Sequence, residues 1–593
     1  MKVIEKVTAL RKLMSDKKID VFYIPSSDPH QSEYVADRWK SRKWISGFTG
    51  SAGTVLVTKD DAGLWTDGRY DIQADNELKG SGILPYITNT PNPVTVYDWL
   101  KIKFSSKKEI KIGFDGKVMS VSQVREIENS LKEFKIKFIK EDLVDKIWKD
   151  RPEAPCSKIS THEKYAKMSL LEKVKTIREK MALEKADHFI ESSLDNIAWI
   201  LNIRGRDIPI SPVSVSHLIV SKDKISYFVD KRKVDKKVMD YFKVNGVDLY
   251  DYEAINSFIK KEMNNKCAVM FDPSRTSKEA YDSIPEKAAM IEKTDPVILL
   301  KSIKDPVEIR NMKKALIIDS VVLVKFQIWL EKNLGRKKLS ELDVSEYITK
   351  LRKDQTGYVA DSFNTITAYK ENAAMMHYAP TKEKQAVLKP EGFLLVDTGG
   401  NYLEGTTDTT RTYSLGKLSR EERKDYTLVL KGHINLVSTK FLKGTTGYAL
   451  DVLARQPIWN GMYDYKCGTG HGVGSFLNVH EGPQSISQRM INVPLEPGMI
   501  TTVEPGIYKK DKHGIRIENM YLTRNYRNTP SGEFYSMESL TYVPIDTKPI
   551  VKSLMTISEL KWLNLYHSAV LKKLSPYLTK AEIKWLRSKT AKI

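Results

Sequence analysis

Four carboxylates and one imidazole in the C-terminal half stand in short, distinctive segments. They are Asp397 in LLVDTGG, Asp408 in GTTDTTRT, His471 in GTGHGVG, Glu504 in TTVEPG and Glu518 in GIRIEN. Oxygen donors with a single nitrogen make a hard ligand set, suited to Mn, Co or Zn rather than to a thiolate-seeking ion. One ion would need fewer acids, whereas two ions sharing bridging carboxylates use them all. Such a pair activates water at neutral pH, so the set points to a hydrolase. Carboxylates buried on strands are costly without a cation, which favours this reading over ordinary ion pairs.

The elements around these residues look built to hold them. Asp397 closes an apolar strand and Asp408 opens the next, with GGNYLEG between them as a hairpin turn. Glu504 and Glu518 repeat the device, with turn residues from Lys510 to Gly514. From Gly392 to Val543 the pattern is one of strands broken by glycine: FLLVDTG, TTRTYSL, MITTVEPGIY, GIRIENMYL and ESLTYVP, interrupted by a helix at DYTLVLKGHINLVSTKFL. Upstream, Pro306 sits well at a helix start, with Glu308 behind it. The string GTGHGVG contains a GxGxxG match, but SFLNVHEGP follows it instead of a helix, so a phosphate loop is rejected. Glycines on both sides of His471 instead let the backbone crowd a metal centre. His377 in MMHYAP and His480 in NVHEGP are suited to steadying an oxyanion or carrying a proton. No GxSxG and no HExxH occurs, which argues against a serine nucleophile or a zincin.

At 593 residues the chain exceeds a single core. The first two thirds carry a faint duplication. LVTKDDAGLWTDGR from Leu56 and IVSKDKISYFVDKR from Ile219 both read as strand, charged turn, strand. Each follows an amphipathic helix (VTALRKLMSDKKID, then VKTIREKMALEKAD) and a strand-like segment, VFYIPSS in the first copy and NIAWILNIRG in the second. The break falls near 150–155, where two prolines discourage regular structure. The chain is therefore divided at 1–152, 153–303, 304–548 and 549–593, the last piece reading as two short amphipathic helices. No apolar run approaches the roughly 20 residues of a membrane span, and MKVIEKVTALRKLM reads as an amphipathic helix opening the first domain and not as a secretory signal. Three cysteines argue against a disulfide framework and for a reducing, cytoplasmic setting. The net charge of +21 comes from dispersed lysines, which read as a solvated surface and not as a specific nucleic-acid site.

In order and spacing, the five ligand segments resemble those of the pita-bread metallopeptidases, in particular the three-domain cytosolic aminopeptidase P (X-prolyl aminopeptidase) family. The likeness covers almost the whole chain. It includes IPSSDPHQSEYVADRWKSRKWISGFTGSAGT, LWTDGRYDIQA, NIAWILNIRGRDIPISPV, and SFNTITAYKENAAMMHYAP through GIRIENMYLT. The resemblance implies an α/β (α+β) chain: two creatinase-like N-terminal α/β domains, a pita-bread catalytic domain and a C-terminal helical extension. It implies release of the first residue from peptides with proline second, and a homodimer formed through the catalytic domains. It also implies two divalent ions, Mn expected, with Co or Zn as alternatives. Asp397 would hold one metal, Asp408 and Glu518 would bridge both, and His471 and Glu504 would hold the other. Glu504 would accept the proton of the attacking water and His480 would steady the oxyanion. His377 would contact the peptide and serve the proline nitrogen, and Arg516 would orient a carboxylate. Arg69 would reach the substrate, beside which His471 and His480 would also lie. The near alternative is an X-Pro dipeptidase, and the distant one a metal-free module that binds protein or RNA. One departure stands out: the family places a histidine four residues before its metal histidine, where this chain has Cys467.

Overall fold

The computed structural model describes residues 1–90 and 92–593. They divide into two compact units: Met1–Glu163 with Met168–Val297, and Lys164–Lys167 with Ile298–Ile593.

The first unit confirms the duplication. It holds two six-stranded sheets, one from Val21–Pro25 to Lys135–Lys140 and one from His188–Glu191 to Ala289–Glu292. With each sheet's strands numbered in chain order, both read 4-3-2-1-5-6 across the sheet. The pairing sense is also the same in both: strands 1–2 and 2–3 run antiparallel, while 3–4, 1–5 and 5–6 run parallel. The helices packed on them are amphipathic at the expected spacing. Val3–Asp16 buries Val7, Leu10 and Met14, and Leu170–Leu183 buries Leu170, Val174, Ile177 and Met181.

One expected strand is mostly a helix. NIAWILNIRG forms the end of helix Leu194–Ile200 and the two-residue strand Ile203–Arg204, while the strand equivalent to Val21–Pro25 is His188–Glu191. Leu194, Ile197, Ala198, Trp199 and Ile200 are all buried, so the run is apolar on every side and its periodicity carries no information.

The second unit is built from helix pairs laid on sheets. Asp305 caps the 28-residue helix Pro306–Asn333 by accepting from the Val307 and Glu308 amides at 2.7 and 2.9 Å, with Pro306 at the first helical position as expected. This helix and Glu341–Lys353 pack Val322, Phe326, Leu330, Val344 and Ile348 against Leu394, Val396 and Tyr413 of a three-stranded sheet. Helices Arg420–Ser438 and Gly447–Asn460 likewise cover a six-stranded sheet through Leu436, Val437, Leu450 and Ala454. The second of these helices is absent from the sequence reading, and it carries Pro457 inside it, a residue that discourages a helix assignment. ESLTYVP also departs from expectation. Strand Gly532–Ser539 ends at its second residue, and Leu540–Pro544 runs on without a ladder. Arg411 replaces the ladder there, donating to the carbonyls of Val543 (2.8 Å) and Pro544 (3.1 Å). The C-terminal helices are Ile557–Leu574, longer than expected at 18 residues, and Lys580–Lys589. Leu563, Tyr566, Val570, Leu574 and Leu586 bury them in a core shared with helix Arg420–Ser438 and with strand residues Phe393, Ile507 and Ile515. Among the described residues no helix is long and apolar enough to cross a membrane.

Candidate metal centre

Two antiparallel ladders bring the ligand segments to one place. Strand Phe393–Thr398 pairs with Thr409–Ser414, with Asp397 opposite Thr410 and Asp408 one residue ahead of Thr409. Strand Ile500–Val503 pairs with Asn519–Thr529, Val503 opposite Asn519, so Glu504 and Glu518 extend from facing ends. The ladders are tied together where the Glu518 amide donates to the Thr410 carbonyl at 3.1 Å. The Glu504 amide donates to the Thr469 carbonyl at 2.7 Å, beside the short strand Gly470–Gly472 that presents His471.

Asp408, His471 and Glu518 each offer a ligand atom, and these atoms all lie within 4.8 Å of one another. The His471 Nε2 is 3.4 Å from Asp408 Oδ2 and 3.5 Å from Glu504 Oε1. Asp397 joins from the side. The Arg516 guanidinium pairs with its Oδ2, and the same guanidinium lies 3.9 Å from Glu504. The other Asp397 oxygen, Oδ1, is buried and has no hydrogen-bond partner among the described residues.

The electrostatics show acids crowded beyond what the protein's own cations offset. Burial, and then repulsion from Asp408, Glu504 and Asp397, holds Glu518 well above the usual carboxyl range. Asp397 and Glu504 are raised too, first by burial, although Arg516 opposes the shift in both. Burial alone would lower His471, but Asp408 and Glu504 outweigh it and push the imidazole up to about 9. A divalent pair fits these residues: the donor set is oxygen-rich, three ligand atoms converge, and an orphaned carboxylate oxygen waits beside them.

Of the remaining predicted residues, His480 and His377 adjoin residues of this core. The His480 ring lies 4.4 Å from that of His471, nearly perpendicular at 80°. Its chain neighbour Glu481 is fully buried, in ion pairs with Lys304 and, at 3.2 Å, with Lys301. His377 is half-buried in a turn, and the carbonyl of the preceding Met376 receives Arg516 at 3.4 Å. Arg69 belongs to the other unit and forms a forked pair with Asp67 at 2.8 and 2.7 Å. Cys467 is half-buried and packs against the same apolar cluster as Tyr508.

Three contributors went unread in the sequence. The Thr410 hydroxyl donates to Glu518 Oε2 at 2.8 Å and receives the Arg516 Nε at 3.2 Å. Residues 408, 410 and 412 alternate onto one strand face, and Thr412 holds the Arg516 backbone through its hydroxyl, so period-two spacing in TTDTTRT was a usable signal. The Tyr508 hydroxyl meets Arg516 Nη1 at 2.6 Å, and nothing in the sequence points to it.

Residues 310–525 match metallopeptidase family M24, and 533–593 match the C-terminal region of that peptidase. Residues 6–146 and 150–308 each match the creatinase/prolidase N-terminal domain. The chain is 38% identical to aminopeptidase P2 of Arabidopsis thaliana, across 97% of this chain and 86% of that protein. It is also 38% identical to Xaa-Pro aminopeptidase 1 of Dictyostelium discoideum, across 98% and 96%. The chain belongs to the aminopeptidase P family of M24 metallopeptidases. Its structure matches X-prolyl aminopeptidase from Caenorhabditis elegans, described as a cytosolic enzyme with a di-nuclear active site, with a TM-score of 0.96 over 100% of both chains at 36% identity. A Xaa-Pro dipeptidase from Bacillus anthracis matches 64% of this chain and 99% of its own, with a TM-score of 0.52 at 25% identity. The architecture of the aminopeptidase P family, creatinase-like α/β domains ahead of a pita-bread catalytic domain, is thus the one expected from the sequence.

Proposed function

We propose that this chain is a metalloaminopeptidase that releases the first residue from peptides with proline in second position. The observation that carries the reading is the convergence of Asp408, His471 and Glu518, flanked by Asp397 and Glu504. The full-length likeness to X-Pro aminopeptidases supports this activity over a dipeptidase, whose fold covers only 64% of the chain. The domain limits proposed with it fall at 152, 303 and 548.

Asp397, Asp408, His471, Glu504 and Glu518 would hold two divalent ions, with Mn proposed and Co or Zn as alternatives. When bound, such a pair supplies Lewis acidity that makes water a nucleophile at neutral pH. The side chains do the rest. Glu504, about one-fifth exposed, takes the proton of the attacking water. His480, packed on His471, donates to the oxyanion that develops on the carbonyl ahead of proline. His377 contacts the peptide and passes a proton to the proline nitrogen. Arg516 fixes the Asp397 carboxylate against rotation. Arg69, paired with Asp67, is assigned to substrate on the family resemblance alone. Proline selects itself in part, because the X-Pro amide has no N–H to offer peptidases that need that donor.

A homodimer in the cytosol completes the proposal. The Caenorhabditis enzyme is described as cytosolic. Exposed Tyr448, Val452 and Trp459 on helix Gly447–Asn460, with Met462 and Tyr463 after it, offer an apolar surface for a second copy. The deciding experiment combines elemental analysis of purified protein with hydrolysis of an Arg-Pro-Pro tripeptide and an X-Pro dipeptide. Two metal equivalents and tripeptide cleavage are expected. Cleavage of the dipeptide alone would make it a dipeptidase, and cleavage of neither would end the enzymatic reading.

A further inference from the structure

Asp397 and Asp408 lie on separate strand ends, and a two-ion site needs their separation held to a fraction of an ångström. Their chain neighbours reveal what could hold it. The Thr398 hydroxyl, next to Asp397, accepts from Arg352 Nη1 at 2.6 Å. The Thr407 hydroxyl, next to Asp408, donates to Asp319 Oδ2 at 2.8 Å. Arg352 and Asp319 are bound to each other in a fork, Nε to Oδ1 at 2.8 Å and Nη2 to Oδ2 at 3.1 Å. Arg352 is 0% exposed and Asp319 1%. Asp319 stands on helix Pro306–Asn333 and Arg352 on helix Glu341–Lys353, so the pair joins two helices before it reaches the strands. Around it, Tyr402 donates to Asp319 at 2.8 Å, and Arg352 also reaches Asp361 at 3.2 Å.

A buried ion pair gives little net stability over apolar packing of the same volume, so stability is a weak explanation for it. Its reach is more informative: through one hydroxyl on each side, it grips the residue adjoining each aspartate.

We propose that Asp319 and Arg352 are positioning residues that set the spacing of Asp397 and Asp408 for the two-ion centre. This rests on the metal-centre reading above. Removing either charge would strand the other in the interior and endanger folding, so the test uses the hydroxyls instead. Thr398→Val and Thr407→Val sever the links while leaving the ion pair whole, and Thr398→Ser and Thr407→Ser keep the links. Metal-free proteins are titrated calorimetrically with Mn(II) alone, and each protein is also assayed for kcat and KM on the tripeptide.

The valine variants should bind the second Mn(II) equivalent about 10- to 100-fold more weakly, with kcat reduced and KM little changed. The serine variants should stay within about threefold of the parent. Valine variants that take up two equivalents as tightly as the parent would overturn the proposal while leaving the metal centre intact. Serine variants as impaired as valine would also overturn it, because the hydroxyl would then be irrelevant. A parent protein that binds fewer than two equivalents would overturn the metal-centre reading and the proposal with it.

Discussion

Asp408 is the residue on which the proposed chemistry turns, because it faces His471 at 3.4 Å and shares a ligand cluster with Glu518. Asp408→Ala should cut X-Pro hydrolysis by more than the roughly 100-fold that losing a supporting partner causes, and reduce metal content to one equivalent or fewer. A mutant as active as the parent would rule out the cage as the engine. Cys467 asks the opposite question. A thiol is a weak donor and acceptor, so the site as it stands does not depend on a strong hydrogen bond at this position. Cys467→His should therefore keep kcat/KM within about tenfold of the parent in a steady-state assay. Complete loss of activity would show that the pocket is built around the smaller side chain. At this scale the sequence was informative where chemistry restricts the residue type. Asp, Glu and His among glycines and threonines announce ligands, whereas Tyr508, a common core residue, announces nothing. Arg352 was invisible for another reason: its partners lie 33 and 46 residues away, and no local pattern encodes that meeting.

Among the elements, the three-residue strand Gly470–Gly472 is closely constrained at both ends. A Cβ on Gly470 would overlap the Thr502 carbonyl oxygen, and one on Gly472 would overlap that of Glu481. The strand therefore lies between its neighbours at a spacing that only glycine permits, and His471 between the two glycines is delivered to the cluster without slack. Gly470→Ala must push this strand away from Ile500–Val503, the strand that leads into Glu504, and so part His471 from its neighbours. We expect a loss of about 1–3 kcal/mol in denaturant unfolding, together with weaker metal binding by titration. Unchanged metal affinity would show that the strand can shift without moving the imidazole. The antiparallel ladders themselves were legible from glycine between apolar runs, but GGNYLEG is more than the expected turn: Gly400–Tyr402 and Gly405–Thr406 pair with each other, and the first also pairs with Tyr358–Asp361, in a separate three-stranded sheet. Helix Gly447–Asn460 was not legible, since Pro457 argued against the very element it sits in.

For the whole molecule, the duplicated sheets were readable because both copies keep the same helix, strand and charged-turn order, and their identical 4-3-2-1-5-6 arrangement follows. What no local pattern could convey is how strongly the metal-free fold is charged against itself. In the metal-free fold the carboxylates of Asp408 and Glu504 push the His471 imidazole up to about 9, against about 6.5 in an unfolded chain. A raised group of this kind stabilises the metal-free fold fully below pH 6.5, and the contribution is lost as pH climbs through 9. Asp397, Glu504 and Glu518 are raised as well, so each pushes in the same direction. Metal binding requires these groups to give up their protons, so apparent affinity should rise with pH by about tenfold per unit for each proton displaced. These are one linkage seen from two sides: as pH rises from 6.5 to 9, the metal-free protein loses the stability its bound protons gave it, while the metal-bound form, whose ligands are already deprotonated, does not. The gap in Tm between metal-loaded and EDTA-treated protein should therefore widen steadily across that window. Calorimetric titration at pH 7 in buffers of different ionisation enthalpy should also show at least one proton released as Mn(II) enters. A Tm gap that is flat or narrows with pH would mean that His471 and the raised acids are not the groups the ions displace protons from.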